Sequence, residues 1–263
     1  MTLHTLASGS EGNCLLVSCG GSHILLDAGI SARRITAALA ELGLTAHDLD
    51  AILLTHAHHD HITALGTWCK HHQTPLYATA GTAAQVCDKW AAAGPYLRAV
   101  TPEEPFSVGG FDLTAFPTSH DAWGSVGYRL EAGGGSMGLL TDSGCVTEQA
   151  RRTLTGVDLL VLESNHDTEW LRSGPYPYYL KERIAGPRGH LSNDDAARFA
   201  AEMARCGTKE IVLAHLSREN NTTQRALSTV QRALSAADCA VRLTAAPRCG
   251  LCRYEVEGSP CRK

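Results

Sequence analysis

The 263-residue sequence contains no apolar run of the roughly 18 residues that a membrane-spanning helix needs. Its opening residues, MTLHTLASGS, show neither the basic start nor the apolar run of a signal peptide. Basic residues are not in excess, since 23 Lys and Arg stand against 27 Asp and Glu. Domains that hold nucleic acid over a wide footprint are often strongly basic. We therefore expect a cytoplasmic protein without a membrane partner, in which any nucleic acid binds at a local site.

The sequence also lacks the dense, paired cysteines of a secreted disulfide scaffold. Its 10 cysteines are scattered, and only Cys249 and Cys252 form a CxxC pair, with Cys261 nearby. A structural zinc site usually needs two such pairs. The cysteines are therefore expected to be reduced, and the role of these three stays open.

Low-complexity linkers and internal repeats are absent, and what is present is a globular composition with 44% apolar and 19% charged residues. Short apolar strands and amphipathic helices alternate up to about residue 95, and a second, more strand-rich series follows Pro102. This order predicts an α/β protein with two β-sheets packed face to face and helices outside. We expect one domain over 1–263, with a last strand at 240–246 and a C-terminal tail from about 247 to 263.

The densest chemistry lies in LLTHAHHDHIT, residues 53–63, between a predicted buried strand at 49–56 and a predicted helix at 62–71. Here His56, His58, Asp60 and His61 form an H-x-H-x-D-H pattern. Neighbouring imidazolium groups repel each other, so a divalent metal that keeps them neutral explains the arrangement better than a polar loop. His56 and His58 project to one side of an extended segment and the other two lie past a bend, which favours two metal ions.

Three more ligand-type residues each follow a predicted strand: His120 in FPTSH, Asp142 in LLTDSG and His215 in VLAHLS. Loops at strand ends often carry functional side chains because the sheet fixes their roots. Imidazole and carboxylate ligands suit zinc or manganese, and iron is also possible.

These residues, together with the segments SGSEGNC, LLDAGIS, TSHDAWGSVGY, LESNHD, GHLSN and LAHLSRENN, resemble the YycJ (WalJ, VicX) branch of the metallo-β-lactamase superfamily. The resemblance extends from residue 3 to about 246. It implies a four-layer αβ/βα sandwich with a dinuclear metal site at the sheet edge. The segment 142–215 is too short for the additional β-CASP domain of some related nucleases.

The resemblance also implies a role for each ligand. It assigns His56, His58 and His120 to one ion, assigns Asp60, His61 and His215 to the other, and makes Asp142 the bridge between them. Asp27 corresponds to a carboxylate that braces the histidine-rich loop, and His59 is expected to point away from the ions.

Two ions a short distance apart can share a hydroxide and attack phosphodiesters, thioesters or lactams. The resemblance implies a nuclease, 5′ exonuclease-like and acting on DNA rather than RNA. Glu163 and His190 look like the proton relay of related tRNA-processing nucleases, which simple thioesterases of the fold lack. With Asp60 they form the predicted catalytic set. A buried structural hydrogen bond between Glu163 and His190 is the alternative. A thioesterase, a small-molecule phosphodiesterase or a metal-binding regulator would be the competing functions.

Three residues are predicted to bind substrate. Arg218 and Asn221 lie in SRENN directly after His215, where Arg218 can clamp a phosphate. Ser192 begins a predicted helix over 192–204, whose N-terminus can hold a phosphate. Ser192 with Asp195 also has the spacing of a helix cap.

Overall fold

The computed structural model describes residues 1–256, which build two β-sheets. The strands are β1 (Thr2–Ala7), β2 (Cys14–Cys19), β3 (Ser22–Leu26), β4 (Ala51–Leu53), β5 (Leu76–Ala78), β6 (Leu97–Ala99), β7 (Phe106–Val108), β8 (Phe111–Pro117), β9 (Val126–Ala132), β10 (Gly135–Leu140), β11 (Leu159–Glu163), β12 (Glu210–Ala214), β13 (Arg242–Ala245) and β14 (Cys249–Glu255). The first sheet has the order β14-β1-β2-β3-β4-β5-β6 and the second the order β13-β12-β11-β10-β9-β8-β7.

Helices lie between the strands along the chain. They are α1 (Ala32–Glu41), α2 (His59–Ile62), α3 (Leu65–His71), α4 (Ala80–Lys89), α5 (Glu148–Leu154), α6 (Thr168–Ser173), α7 (Tyr178–Ala185), α8 (Asn193–Arg205) and α9 (Thr223–Ala236), with 3-10 turns at Ala46–Asp48 and Ala91–Tyr96. Apolar side chains of α1, α3 and α4 pack on the first sheet, and those of α5, α8 and α9 on the second. A third core lies between the sheets. The predicted four-layer αβ/βα sandwich is therefore confirmed. Within residues 1–256, no helix is both long and apolar enough to cross a membrane.

The parallel strands explain where polar side chains collect. Strands β10, β11 and β12 run parallel, and so do β3 and β4. Both faces of these strands are covered, so the strands themselves are apolar and polar groups are displaced to their ends. Asp27 and His215 directly follow such ends and Asp142 lies two residues past one, and their φ angles are 60°, 55° and 55° in the order Asp27, Asp142, His215. Left-handed backbone is uncommon for residues other than glycine and is concentrated at functional sites.

Two predicted boundaries are wrong. The helix predicted over 62–71 is divided into α2 and α3, because the N–H of Ala64 donates to the carbonyl of Ala28 instead of continuing the first helix. The residues 249–255 predicted to lie in a tail form β14, which pairs antiparallel with β1 and buries Tyr254 between the sheets. Cys249 and Cys252 lie on this strand, and all nine cysteines of residues 1–256 are free. Cys261 lies outside the described residues.

Gly29 lets the chain after β3 lie directly against the histidine-rich loop. A Cβ at this position would lie 1.6 Å from the carbonyl oxygen of Asp60 and 2.6 Å from the backbone nitrogen of Asn13. The same backbones are tied by hydrogen bonds, Gly29 N–H to Asn13 O and Asn13 N–H to Asp60 O, each 2.8 Å long. No larger residue fits without displacing Asp60.

We predict that Gly29→Ala lowers the free energy of unfolding by about 2–3 kcal/mol, the cost of overpacking a buried contact. Urea denaturation monitored by circular dichroism measures it. Gly94→Ala is the control, because the nearest atom to its added Cβ is 3.8 Å away. Equal stability of the two variants would contradict the steric role of Gly29.

Candidate metal centre

The three predicted ligands of the first cluster come together at the sheet edge. Nitrogen atoms of His56, His58 and His120 lie within 4.8 Å of one another, and His58 Nδ1 lies 3.2 Å from His120 Nε2. His56 follows β4, His58 precedes α2, and His120 lies past the end of β8. The strand ends thus converge as the sequence predicts.

The second cluster joins Asp60, His61 and His215, whose ligand atoms also lie within 4.8 Å of one another. Asp60 Oδ2 is 3.4 Å from His61 Nε2 and 3.5 Å from His215 Nε2. Asp142 lies between the two clusters. Its Oδ2 is 3.4 Å from His61 Nε2 and its Oδ1 is 3.9 Å from His120 Nε2, so this carboxylate can reach both.

Several buried ligand atoms of this centre have no hydrogen-bond partner within residues 1–256. They are Nε2 of His56, Oδ2 of Asp142 and Nε2 of His215. Unpaired buried polar atoms are rare and costly in native proteins. Three that converge with further imidazole and carboxylate groups form the nitrogen and oxygen donor set that divalent transition metals prefer. The residues therefore fit divalent metal ions.

The Nδ1 atoms of His61 and His120 form hydrogen bonds on the side of each ring that faces away from the centre. Asp27 Oδ2 accepts a hydrogen bond from His61 Nδ1 at 2.7 Å, and both of its oxygens accept from Thr55, at 2.8 Å each. His120 Nδ1 donates to the carbonyl of Gly189 at 3.0 Å. These contacts fix the tautomers and leave Nε2 free to face the centre, as partners of metal-bound histidines commonly do. The predicted brace at Asp27 is present.

Glu163 is fully buried at the end of β11 and links the centre to His190. Its Oε1 accepts from Nδ1 of His190 at 2.7 Å and from Nδ1 of His215 at 2.9 Å. Its Oε2 accepts the N–H groups of Ser143 and Leu191, both at 3.1 Å. Each of its oxygens already accepts two hydrogen bonds, so Glu163 orients two histidines. Its ligand atom also lies within 4.8 Å of those of Asp142, His190 and His215. Nε2 of His190 is the nitrogen that Glu163 leaves free.

Burial and neighbouring charges shift the pKa values of His56 and His215 in opposite directions. Burial lowers the pKa of His56 well below its ordinary value, and the neighbouring histidines add to the effect. Burial opposes the charge of His215 too, but Asp142, Asp60 and Glu163 outweigh it and raise its pKa to about 10. In the first cluster, His56 is therefore a neutral imidazole that can bind a metal directly. In the second cluster, metal binding to His215 competes with a proton.

An open cavity of about 370 Å³ leads to the clusters. His58, Asp60, Asp142, His190 and His215 line it, and so does His59, whose side chain is exposed.

Among the further residues that line this cavity, the sequence missed three with basic or phenolic side chains: Lys89, Tyr176 and Arg183. Lys89 Nζ donates to the carbonyl of Ala57, and Arg183 Nε to Asp121, both at 2.6 Å. Arg183 lies on α7, which has no buried residue and hence no apolar period to reveal it.

The three predicted substrate-binding residues do not line the cavity. Ser192 is buried and caps α8, because its Oγ accepts the N–H of Asp195. Asn221 is also buried, and its Nδ2 donates to the backbone oxygens of Ser164 and Asn165, so it ties loops together and cannot reach a ligand. Arg218 is exposed and lies in a neighbouring cavity, where it pairs with Glu11 at 2.7 Å.

A family model described as a beta-lactamase superfamily domain matches residues 22–216. The chain belongs to the beta-lactamase superfamily. Among curated proteins, the exodeoxyribonuclease WalJ of Streptococcus pneumoniae serotype 2 (strain D39) is 38% identical over 246 residues, which cover 90% of this chain and 89% of that protein. The exodeoxyribonuclease YycJ of Bacillus anthracis is 35% identical over 244 residues, covering 89% of this chain and 90% of that one. The resemblance to the YycJ branch is thereby confirmed.

Solved structures of other proteins share the fold. The Zn²⁺-bound PqqB of Methylobacterium extorquens matches with a TM-score of 0.73 at 20% identity, over 97% of this chain and 100% of that one. YhfI of Bacillus subtilis matches with a TM-score of 0.72 at 19% identity, over 97% and 100%. At such identities the likeness concerns the architecture alone.

In this beta-lactamase superfamily chain, Asp27→Asn should weaken metal binding about 10- to 100-fold, because an amide nitrogen cannot accept the proton of His61 Nδ1. Competition with a chromogenic zinc chelator measures the affinity. Asp50→Asn is the matched control, since Asp50 accepts a backbone N–H from His23 and lies outside the centre. Unchanged affinity in Asp27→Asn would show that His61 needs no brace.

Proposed function

We propose that this chain is a metal-dependent phosphodiesterase that acts on DNA in the manner of an exonuclease. The observation that carries the proposal is the His190 side chain, which lines the metal cavity while its Nδ1 is held by the buried carboxylate of Glu163. The names of the relatives WalJ and YycJ, both exodeoxyribonucleases, support the same substrate class.

Two divalent ions, zinc or manganese with iron as a further possibility, are proposed to occupy the centre. His56, His58 and His120 would hold one, Asp60, His61 and His215 the other, and Asp142 would bridge them. When bound, such ions lower the pKa of water and offset negative charge on a phosphoryl group. Asp60, whose side chain is only partly buried, also reaches the cavity and can orient the attacking water.

His190 and Glu163 act on the leaving group. Burial opposes a charge on His190, but Glu163 and Asp142 together raise its pKa above the ordinary value. The ring therefore holds a proton more readily than an ordinary histidine, and Nε2 can give it to the departing sugar oxygen while Nδ1 stays bonded to Glu163. A thioesterase needs no such donor, because a thiol is far more acidic than a sugar hydroxyl and leaves unprotonated.

Side-by-side assays of the metal-loaded protein on 5′-labelled DNA, 5′-labelled RNA and a glutathione thioester test the function. Turnover of DNA in preference to the other two is expected. Preferred hydrolysis of the thioester would identify the competing class, a thioesterase on the same fold, and preferred hydrolysis of RNA would move the substrate from DNA to RNA.

We predict two divalent ions per chain at saturation, and a reduced content of both in Asp142→Ala because one carboxylate serves both positions. Elemental analysis after removal of free metal gives the stoichiometry. Asp121→Ala is the control, since Asp121 neighbours His58 and His120 but pairs with Arg183. One ion per chain in the wild type would refute the dinuclear site.

His190→Ala should lower kcat on DNA by about 10²–10⁴-fold, the usual contribution of general acid–base catalysis. The loss should shrink on bis-p-nitrophenyl phosphate, because p-nitrophenolate leaves without a proton, and metal content should stay at the wild-type level. His59→Ala provides the control, since this exposed residue borders the same cavity without contacting Glu163. Equal losses on both substrates, or lost metal, would make His190 a structural residue or a ligand.

A further inference from the structure

A second cavity adjoins the metal cavity and is lined by three arginines. It has a volume of about 280 Å³, and Arg34, Arg218 and Arg248 lie around it together with the loop 7–12. We call it the arginine groove. Its arginines come from separate parts of the chain: the first turn of α1, the loop after His215, and the residue before β14.

The arginine groove and the metal cavity share a wall. Ser10 lines both. Along the loop after β12, His215 and Ser217 line the metal cavity, whereas Leu216 and Arg218 line the groove. Arg248 donates from Nη2 to the carbonyl of Ser217 at 3.2 Å, so its guanidinium rests against this wall. The two cavities are therefore neighbours on either side of Ser10 and the loop 215–218.

The arginines are free to take an anion. Arg218 pairs with Glu11 at 2.7 Å and, more distantly, with Glu219 at 3.9 Å. The three side chains are 64%, 78% and 53% exposed, and pairs so exposed add little stability. Within residues 1–256 the Arg34 guanidinium makes no ion pair. The whole chain has a net charge of −4, so three arginines around one groove are a local reversal of sign. Guanidinium groups bind phosphate oxygens in a bidentate manner.

We propose that the arginine groove binds backbone phosphates of the nucleic-acid strand, next to the phosphate that lies at the metal centre. This rests on the proposed function for its substrate class. Glu11 occupies Arg218 in the free protein and is displaced by the strand. The chain has a net negative charge, so it holds its substrate through this local cluster of positive charge.

Fluorescence anisotropy with a short, single-stranded phosphorothioate oligonucleotide and the metal-loaded protein tests the groove. Arg34→Gln should weaken binding about tenfold, the loss expected for one hydrogen-bonded charge. It should also reduce the slope of log affinity against log salt by about 0.7, the value for one phosphate of a single strand. Glu11→Gln should tighten binding, because it removes the charge of the closer of the two carboxylates that pair with Arg218.

Arg33→Gln is the matched control. Arg33 precedes Arg34 on the same exposed turn of α1 and carries the same charge, but it does not line the groove. Equal losses in both variants would mean that only the overall field matters, and no loss in Arg34→Gln would mean that the strand runs elsewhere. Either result overturns the groove, and so does a wild-type protein that binds no oligonucleotide. Binding that depends on Arg34 without cleavage of ordinary DNA would leave the groove standing and refute the proposed function.

Discussion

The buried carboxylate of Glu163 is the constraint on which the candidate site depends. It has no exposure to solvent, and one of its oxygens accepts from two histidines while the other accepts from two backbone N–H groups. A charge buried this deeply is tolerated only when it is fully paired. Through these hydrogen bonds Glu163 fixes the ring of His215, which lies in the second cluster, and the ring of His190, which faces the cavity. One residue thus couples the geometry of metal binding to that of proton transfer.

The fold supports this arrangement at a cost in backbone strain. Asp27, Asp142 and His215 adopt left-handed conformations where strands β3, β10 and β12 end, and each such residue costs on the order of 1–3 kcal/mol. The three cores, one between the sheets and one on each outer face, provide the rigid framework that maintains the strain. Side chains with different directions can therefore converge from strands of both sheets.

The sequence predicted the layers and the ligand set because both are locally encoded. Apolar periodicity marks strands and amphipathic helices, and H-x-H-x-D-H places four ligand-type residues within one loop. What it could not predict depends on long-range packing. Asn221 follows His215 closely in sequence but is turned inward by backbone contacts with residues more than 50 positions away. Helix α7, which buries nothing, leaves no periodic pattern, and β14 becomes a strand only because β1 offers a free edge.

The account depends on one metal ion bound within each of the two clusters, with Glu163 and His190 outside the set of ligands. Anomalous diffraction from crystals of the metal-loaded protein, collected on either side of the metal absorption edge, locates the ions directly. We expect two peaks, one among His56, His58 and His120 and one among Asp60, His61 and His215, with Asp142 between them. A single peak, or a peak coordinated by Glu163 or by His190, would contradict the account.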